Sequence, residues 1–256
     1  MAREMPEQQA PPVQRLRLRY AKRGRLRFTS HRDFSRAFER ALMRTRVPMA
    51  YSSGFNPHPR ISYAGAAPTG AASEAEYVEI GLAQIVEPEA ILALLADSLP
   101  SGLDIEQVAV SPGGSLADLL QASTWLIEVP VAIATVQPAI EAFLAADEVT
   151  VERMTKKGLR SFDARAAVVA LSAEADDSGE GSRLHLLLRH GTPAVRPDDV
   201  LSGLANVGLE TGAEHGGLPL LGLETGAEHG GLPLLTRLTQ GPFDEATSTI
   251  GDPLAN

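Results

Sequence analysis

The sequence predicts an α+β protein made of two similar domains. Apolar residues alternate with polar ones in strand-like segments and recur about every 3.6 residues in helix-like segments. The first 110 residues follow the order β-α-β-β-α-β, and a comparable order restarts near residue 124. This split βαβ order is typical of a ferredoxin-like fold. We therefore predict tandem ferredoxin-like (βαββαβ) sandwiches.

Changes in composition place the expected domain boundaries. Residues 1–12 are polar and end in two prolines, which indicates a disordered N-terminus. A Gly- and Ser-containing stretch with a short helical pattern separates the two halves. The expected organisation is a basic ferredoxin-like domain at 13–110, a linker at 111–123, a second ferredoxin-like domain at 124–240 and a flexible C-terminal tail at 241–256.

The first strand and the first helix carry the clearest patterns. Leu16 and Leu18 face one side of a strand whose other side presents Arg15, Arg17 and Arg19. "KRG" predicts a turn, after which "RLRF" is expected to continue extended. Ser30 precedes an apolar helical pattern as an N-cap, with Asp33 as its capping-box partner.

The other elements follow from the same signals. In the first half we expect a short strand and a turn within 61–70, a strand at 74–83, a helix at 87–100 and a strand at 102–110. In the second half we expect, in order, a strand at 124–132, a helix at 136–147, one or two strands within 149–175, a strand at 183–191, a helix at 196–208 and a last strand near 232–240.

A perfect direct repeat interrupts the second half. "GLETGAEHGGLPLL" occupies 208–221 and recurs without change at 222–235. Such a unit is too short for a solenoid, and its identity indicates a recent duplication of the coding sequence. Loop insertion costs little free energy, so one copy is expected to loop out or to shift the register of the last strand. Which copy leads into the last strand stays open.

The charge distribution is the strongest functional signal. The net charge is −9, yet residues 13–60 contain thirteen Lys and Arg against two acids. Residues 61–152 contain fourteen acids and no Lys or Arg. This contrast predicts a basic surface on an acidic body. Phosphate groups or an acidic protein are the expected partners, and arginines on a merely solvated face are the alternative.

Two sets of basic residues are candidates for phosphate contacts. A ferredoxin-like sheet leaves one face open, so the strand arginines are expected to form an exposed row beside the arginines of the first helix. Two lysines at a tip in the second half offer another contact. The predicted nucleic-acid-binding residues are Arg15, Arg17, Arg19, Arg32, Arg36, Arg40, Arg44, Lys156 and Lys157.

"GFNPHPR" at 54–60 predicts a stiff ligand-positioning loop. Pro57 and Pro59 restrict their own φ and hold the preceding residues extended. The residues presented with little entropy left to lose are Gly54, Phe55, Asn56, His58 and Arg60. Recognition of a phosphate or base edge, a hydrogen-bonded structural turn, and acid–base catalysis by His58 with His31 all stay open.

The composition removes several kinds of chemistry. The chain has no Cys, which excludes disulfides, thiolate nucleophiles, Cys-zinc sites and iron–sulfur clusters. No spacing of His, Asp or Glu indicates a metal, and no cofactor is expected. No apolar run has the length of a membrane span, and the N-terminus lacks the apolar core of a signal peptide. We therefore expect a cytoplasmic protein without membrane contact.

Several motifs resemble those of the radical SAM-linked protein family, an uncharacterised bacterial domain of unknown function. They are "GRLRFTSHRD", "FERALMR", "SSGFNPHP" and, in the second half, "TKKG" followed by Asp163 and Arg165. The resemblance spans roughly residues 13–240 and includes Asp33. It implies a partner, a cobalamin-binding radical SAM protein, and in some bacteria a ribonuclease E/G-type protein encoded nearby.

These observations lead to one main hypothesis and two alternatives. The main hypothesis is an accessory RNA-binding protein that presents tRNA or rRNA to a radical SAM modification enzyme, with no catalytic activity of its own. One alternative is a metal-independent endoribonuclease that uses His58 and His31. The other is a pure protein-interaction module for the radical SAM partner. The RNA substrate, the modified position and the oligomeric state stay open.

Overall fold

The computed structural model describes residues 8–155, 158–209 and 232–255. The chain forms two compact units, Met1–Leu120 with Asp252–Asn256, and Gln121–Gly251. Each unit combines helices with antiparallel strands, which confirms the α+β class. Among the described residues, no helix is long and apolar enough to cross a membrane.

The first unit follows the expected order of elements. They are β1 (Gln14–Lys22), α1 (His31–Arg44), β2 (Ile61–Ala64), β3 (Ala72–Leu82), α2 (Pro88–Ala96), β4 (Ile105–Val110) and the short α3 (Leu116–Leu119). The strands pair antiparallel in the order β4-β1-β3-β2. The "RLRF" stretch does not continue β1. It lies in a 3-10 helix, Gly24–Phe28, because Gly24 has a φ of 54° and turns the chain out of the sheet.

Helix α1 begins where its capping residues predict. The Asp33 N–H donates to Ser30 Oγ at 3.2 Å, and that hydroxyl donates to Asp33 Oδ2 at 2.7 Å. Apolar side chains three and four positions apart then face the sheet. Phe34 stacks on Tyr20 of β1 with ring centroids 4.0 Å apart, and Phe38 is fully buried. The inner face therefore anchors the helix, and its arginines take the outer positions.

Both faces of the first sheet are covered. Leu16 and Leu18 of β1 belong to the core that α1 and α2 complete. On the other face, Tyr77 of β3 packs with Leu116 and Leu254. The expectation of an open second face is wrong for this unit, because α3 and the C-terminal segment supply an apolar cover.

The second unit repeats the same strand order with an inserted hairpin. Its elements are β5 (Ala122–Val129), α4 (Ile133–Ala145), β6 (Thr150–Thr155), β7 (Gly158–Asp163), β8 (Val168–Ala175), β9 (Ser182–Arg189), α5 (Pro197–Asn206), β10 (Leu234–Gly241), β11 (Phe243–Asp244) and β12 (Thr249–Ile250). The main strands pair antiparallel in the order β10-β5-β9-β8. The region expected to hold one or two strands holds three, because β6 and β7 form a separate hairpin.

The end of the chain departs from the expected boundaries. Strands β11 and β12 pair within the segment expected to be a flexible tail, and Leu254 is buried in the first unit. Strand β10 begins at Leu234, near the end of the second copy of the repeat. The second copy therefore leads into the last strand. Most of both copies, at 210–231, lies outside the described residues.

Helices α4 and α5 approach closely at Gly203. A methyl group at this position would lie 2.7 Å from Phe143 Cε2 and 3.1 Å from Val149 Cγ1. Both neighbours are buried and cannot move into solvent. The contact therefore needs a residue without a side chain at position 203.

We predict that Gly203→Ala destabilises the protein by about 1–3 kcal/mol, because the methyl group overpacks the α4–α5 contact. At an uncrowded helix position, the same change would stabilise by about 0.5–1 kcal/mol. Urea denaturation measures the sign. Ser202→Ala, one position earlier on α5, is the control and is expected to change stability by about 0.5 kcal/mol or less. A more stable Gly203→Ala variant would contradict the packing argument.

Candidate nucleic-acid interface

The three strand arginines do not form one exposed row. Arg17 is only 1% exposed. Its Nε donates to Glu79 Oε2 at 3.1 Å, and its terminal amino groups donate to the carbonyls of Gly113, Gly114 and Pro253 at 2.7, 3.2 and 3.4 Å. Each of the three guanidinium nitrogens therefore donates to an acceptor within the first unit. The prediction that Arg17 contacts phosphate from an open surface is wrong in this respect, because the cover of the sheet encloses it.

Glu79 is the shared partner of two of these arginines. Arg15 Nη1 donates to Glu79 Oε1 at 3.1 Å, and the Ser111 hydroxyl donates to Oε2 at 2.8 Å. Burial alone would raise the pKa of Glu79, but the hydrogen bonds from Ser111, Arg17 and Arg15 outweigh it and lower that pKa. Arg15 itself keeps 57% of its side chain exposed. Of the strand arginines, Arg15 is therefore the one best placed to meet a ligand.

Arg23, just after β1, is also engaged within the unit. It is bonded to Glu74 of β3, to Asp104 at 3.1 Å and to Glu106 of β4 at 2.7 Å. Arg19 is half-buried, and no hydrogen bond or ion pair holds it within the described part of the chain. The acids of β3 and β4 thus neutralise much of the positive charge that β1 carries.

The arginines of α1 behave differently. Arg32, Arg36 and Arg40 are exposed, and none of them has an acidic partner among the described residues. Arg44 is exposed too, and it donates to the carbonyl oxygen of Ser98. These four follow each other at a spacing of four residues, which places them along one side of the helix. Because α1 packs on the Leu16 face of the sheet, they lie on the opposite side from Arg15 and Arg17.

The 3-10 helix before α1 adds residues that sequence reasoning missed. Arg25 is exposed, and the guanidinium of Arg27 lies 4.6 Å from the ring centre of Phe28. Phe28 itself is 53% exposed, unlike the neighbouring aromatic Tyr20, which is buried. Taken together, residues 24–44 form a continuous basic segment with one exposed aromatic ring. The cluster of arginines in the sequence was the available signal, but the exposure of Phe28 had none.

The "GFNPHPR" loop is closed by its own backbone. The Ser52 N–H donates to the His58 carbonyl at 2.9 Å, and the His58 N–H donates to Ser52 Oγ at 3.0 Å. Gly54 has a φ of 123°, a conformation that favours glycine. Phe55, Asn56 and His58 are exposed. The loop therefore holds its side chains outward, as the two prolines predict.

The two histidines proposed for catalysis are not brought into contact. The His31 ring packs edge-on against Tyr63 of β2, with centroids 4.8 Å apart. His58 lies in the exposed loop, and no contact joins its imidazole to His31 among the described residues. Burial raises the pKa of the Tyr63 hydroxyl to about 12, so this phenol stays protonated at neutral pH. The geometry gives the endoribonuclease alternative no support.

The motif residues of the second unit support its backbone. Asp163 Oδ1 accepts the N–H groups of Val149 and Arg165 at 3.0 and 2.8 Å. The Arg165 guanidinium donates to the carbonyls of Leu144 and Val168 at 3.3 and 3.0 Å. These contacts fix the turn between β7 and β8. Lys156 and Lys157, predicted to bind phosphate, lie outside the described residues.

Asp198, in the first turn of α5, is an acid in an environment that disfavours its charged form. Its Oδ1 is buried and has no hydrogen-bond partner in the described part of the chain. Burial raises the pKa of Asp198 to about 6, and the neighbouring Asp199 adds to the rise. Elsewhere, the described residues contain no group of three His, Cys, Asp or Glu that could hold a metal.

The fold and the surface define an α+β protein with a basic, solvent-exposed helix on its first unit. The chain belongs to a family described as uncharacterised proteins conserved in bacteria (DUF2344), which it matches over residues 15–197. No curated protein matches the sequence. The family membership confirms the resemblance to a bacterial domain of unknown function, while the link to radical SAM proteins stays a prediction.

We predict that Arg17→Met costs about 3–5 kcal/mol of unfolding free energy, because it leaves the buried Glu79 carboxylate without its buried cationic partner. Arg15→Met removes a bond to the same carboxylate from an exposed guanidinium, and should cost about 1 kcal/mol or less. Urea denaturation of both variants measures the difference. Equal losses would contradict the assignment of Arg17 as the structural partner.

We predict that Asp198→Asn stabilises the protein at neutral pH and not in acid. The pKa of Asp198 is higher in the folded state than in the unfolded chain, so the native protein loses stability as pH rises from about 4 through about 6. The variant escapes this loss, and the gap between the two unfolding free energies should widen from about pH 4 to about pH 7. A gap that stays constant with pH would contradict it.

Proposed function

We propose that the first unit binds the phosphate backbone of RNA through residues 24–44 and acts as an accessory protein without catalysis of its own. The observation that carries this proposal is the set of exposed arginines without acidic partners among the described residues: Arg25, Arg32, Arg36 and Arg40. Free guanidiniums are well suited to phosphate because they donate two parallel hydrogen bonds.

The spacing of these residues suits an extended polyanion. Four residues of α-helix advance about 6 Å, so Arg32, Arg36 and Arg40 repeat their charge along one edge of α1. The Glu39 carboxylate on the same helix makes no ion pair with them among the described contacts. The edge thus keeps its positive potential, which attracts phosphates and falls with added salt.

Phe28 favours RNA with unpaired bases over a regular duplex. An exposed ring can stack against a splayed base, and the Arg27 guanidinium beside it adds a second flat surface. In a regular duplex the bases are stacked on each other inside the helix, so they cannot stack on this ring. We therefore place the contact on a loop or a single-stranded end of tRNA or rRNA.

The variant Arg36→Ala with Arg40→Ala tests the proposal. If each arginine contacts one phosphate of single-stranded RNA, the negative slope of log affinity against log salt should become less steep by roughly 1.4. Filter binding against total tRNA at several salt concentrations measures this slope. Alanine keeps the helix, because it has the highest helix propensity.

The matched control is Arg183→Ala with Arg189→Ala, which removes the same charge from the second unit. Both control residues are paired with acids, Asp177 and Glu245. The control is expected to leave the salt slope unchanged. If both double variants change RNA binding equally, net charge and not the α1 edge governs binding. If the native protein does not bind RNA at low salt, the proposal fails and an acidic protein becomes the favoured partner of this surface.

The finer description of the fold is also a proposal. We propose that both units are ferredoxin-like, the second with an inserted β6–β7 hairpin. The support is the equivalent strand order of the two sheets, which is β4-β1-β3-β2 in the first unit and β10-β5-β9-β8 in the second. An experimental structure of either unit checks this directly.

The proposed partner rests on resemblance, and the proposed location rests on the sequence, which has no apolar run of the length of a membrane span. We propose a cobalamin-binding radical SAM protein as the partner, in the cytoplasm, with a ribonuclease E/G-type protein as a further candidate. The support is the set of motifs at 24–59, which resembles the radical SAM-linked family. Co-purification of the tagged chain with the radical SAM protein checks it, and recovery of the chain alone from cells that express both proteins would count against it.

A further inference from the structure

A cleft of about 230 Å³ lies at the end of the first sheet, where the "GFNPHPR" loop meets β2 and β3. Arg15 of β1 and Arg60 at the end of the loop stand on either side of Gly81 of β3. The register pairs Arg15 with Gly81, and the Gly81 N–H donates to the Arg60 carbonyl at 2.8 Å. The remaining lining residues are Pro12, Ile61, Ser62 and Glu79.

The cleft exists because Gly81, near the C-terminal end of β3, has no side chain. A methyl group at Gly81 would lie 3.0 Å from Pro12 Cγ and 3.2 Å from Arg60 Cβ. Two neighbouring strands are about 4.8 Å apart, so the Cα atoms of Arg15 and Arg60 are roughly 10 Å apart across this gap. Two long guanidinium side chains can converge on a group held between them at that separation.

The charge at the cleft is unbalanced. Glu79 is the one carboxylate among the lining residues, and it already accepts hydrogen bonds from Arg17, Arg15 and Ser111. Arg60 Nε donates to the Tyr51 carbonyl at 3.1 Å, while its two terminal amino groups have no partner among the described residues. The buried Arg17 already pairs with Glu79, so the two lining guanidiniums, Arg15 and Arg60, leave two positive charges and a set of unused N–H donors at the cleft.

We propose that this cleft binds a phosphomonoester. A phosphomonoester carries close to two negative charges at neutral pH and three acceptor oxygens, which matches the surplus charge and the unused donors of Arg15 and Arg60. The Ser62 hydroxyl adds a neutral donor. The volume lies below the range of about 300–1,000 Å³ for pockets that enclose whole drug-sized ligands. The cleft therefore takes the phosphoryl group with part of the sugar attached to it.

This site does not depend on the proposed RNA-backbone surface. Arg15 and Glu79 point away from the face on which α1 packs, because they alternate along their strands with the core residues Leu16 and Ile80. The phosphomonoester has two possible sources, the phosphorylated end of an RNA or a free mononucleotide. Both present the same group to the cleft.

Calorimetric titration tests the site with inorganic phosphate, uridine 5′-monophosphate and uridine. We expect the phosphate and the nucleotide to bind and uridine not to bind. Arg60→Gln and Gly81→Ala should each weaken nucleotide binding about tenfold or more, the loss expected when a charge-assisted hydrogen bond is removed or blocked. Arg183→Ala with Arg189→Ala, which removes two cations from the second unit, is the control and should leave nucleotide affinity unchanged.

Two results would overturn the inference. One is the absence of binding by both phosphate and the nucleotide at low salt. The other is binding that neither Arg60→Gln nor Gly81→Ala weakens. Arg60 is partly exposed, so the glutamine variant is expected to fold even if the filled cleft at Gly81 disturbs its surroundings.

Oligoribonucleotides with and without a 5′-phosphate separate the two sources. Preference for the phosphorylated oligomer over the free nucleotide supports the cleft as a site for an RNA end, and the reverse supports it as a site for a mononucleotide. The two proposals fail separately. If Arg36→Ala with Arg40→Ala does not change tRNA binding, only the proposal of the RNA-backbone surface is refuted. If neither Arg60→Gln nor Gly81→Ala weakens nucleotide binding, only the proposal of the cleft is refuted.

Discussion

The buried ion pair between Arg17 and Glu79 is the interaction on which the first unit depends. A guanidinium removed from water needs an acceptor for each of its arms, since an unmet charge costs several kcal/mol. Glu79 supplies one acceptor, and the carbonyls of Gly113, Gly114 and Pro253 supply the others. The pair therefore joins two strands to the turn before α3 and to the C-terminal segment. The last residues of the chain are part of the fold for this reason.

The same pair explains why three arginines of one strand have different environments. Arg15, Arg17 and Arg19 share a face by alternation, but of the three only Arg17 is fully enclosed by the cover on that face. Arg15 lies toward its edge, where its side chain emerges beside Gly81 and Arg60. A position two residues along the strand thus decides whether a guanidinium supports the structure or is available to a ligand.

Much of the fold could be predicted from local signals. The Ser30 and Asp33 capping pair, the apolar face of α1 and the alternation in β1 are each encoded within a few neighbouring residues, and the structure has them. The cover of the first sheet could not be predicted, because Leu116 and Leu254 are far apart in sequence and lie in segments with weak patterns. The burial of Arg17 depends on that cover. The prediction of Arg17 as an exposed phosphate contact was therefore wrong for the same reason.

The charge asymmetry of the sequence now has a structural basis in two parts. Acids of β3, of β4 and of the position just before β4 pair with Arg15, Arg17 and Arg23; they are Glu79, Glu74, Glu106 and Asp104. Much of the contrast between residues 13–60 and 61–152 is therefore internal neutralisation across one sheet. Helix α1 contacts the sheet only through its apolar face, so no strand acid reaches its outer arginines. A composition count cannot separate these two groups of cations. Strand pairing can, and it leaves the α1 edge among the parts of the basic sequence whose charge no acid neutralises in the described residues.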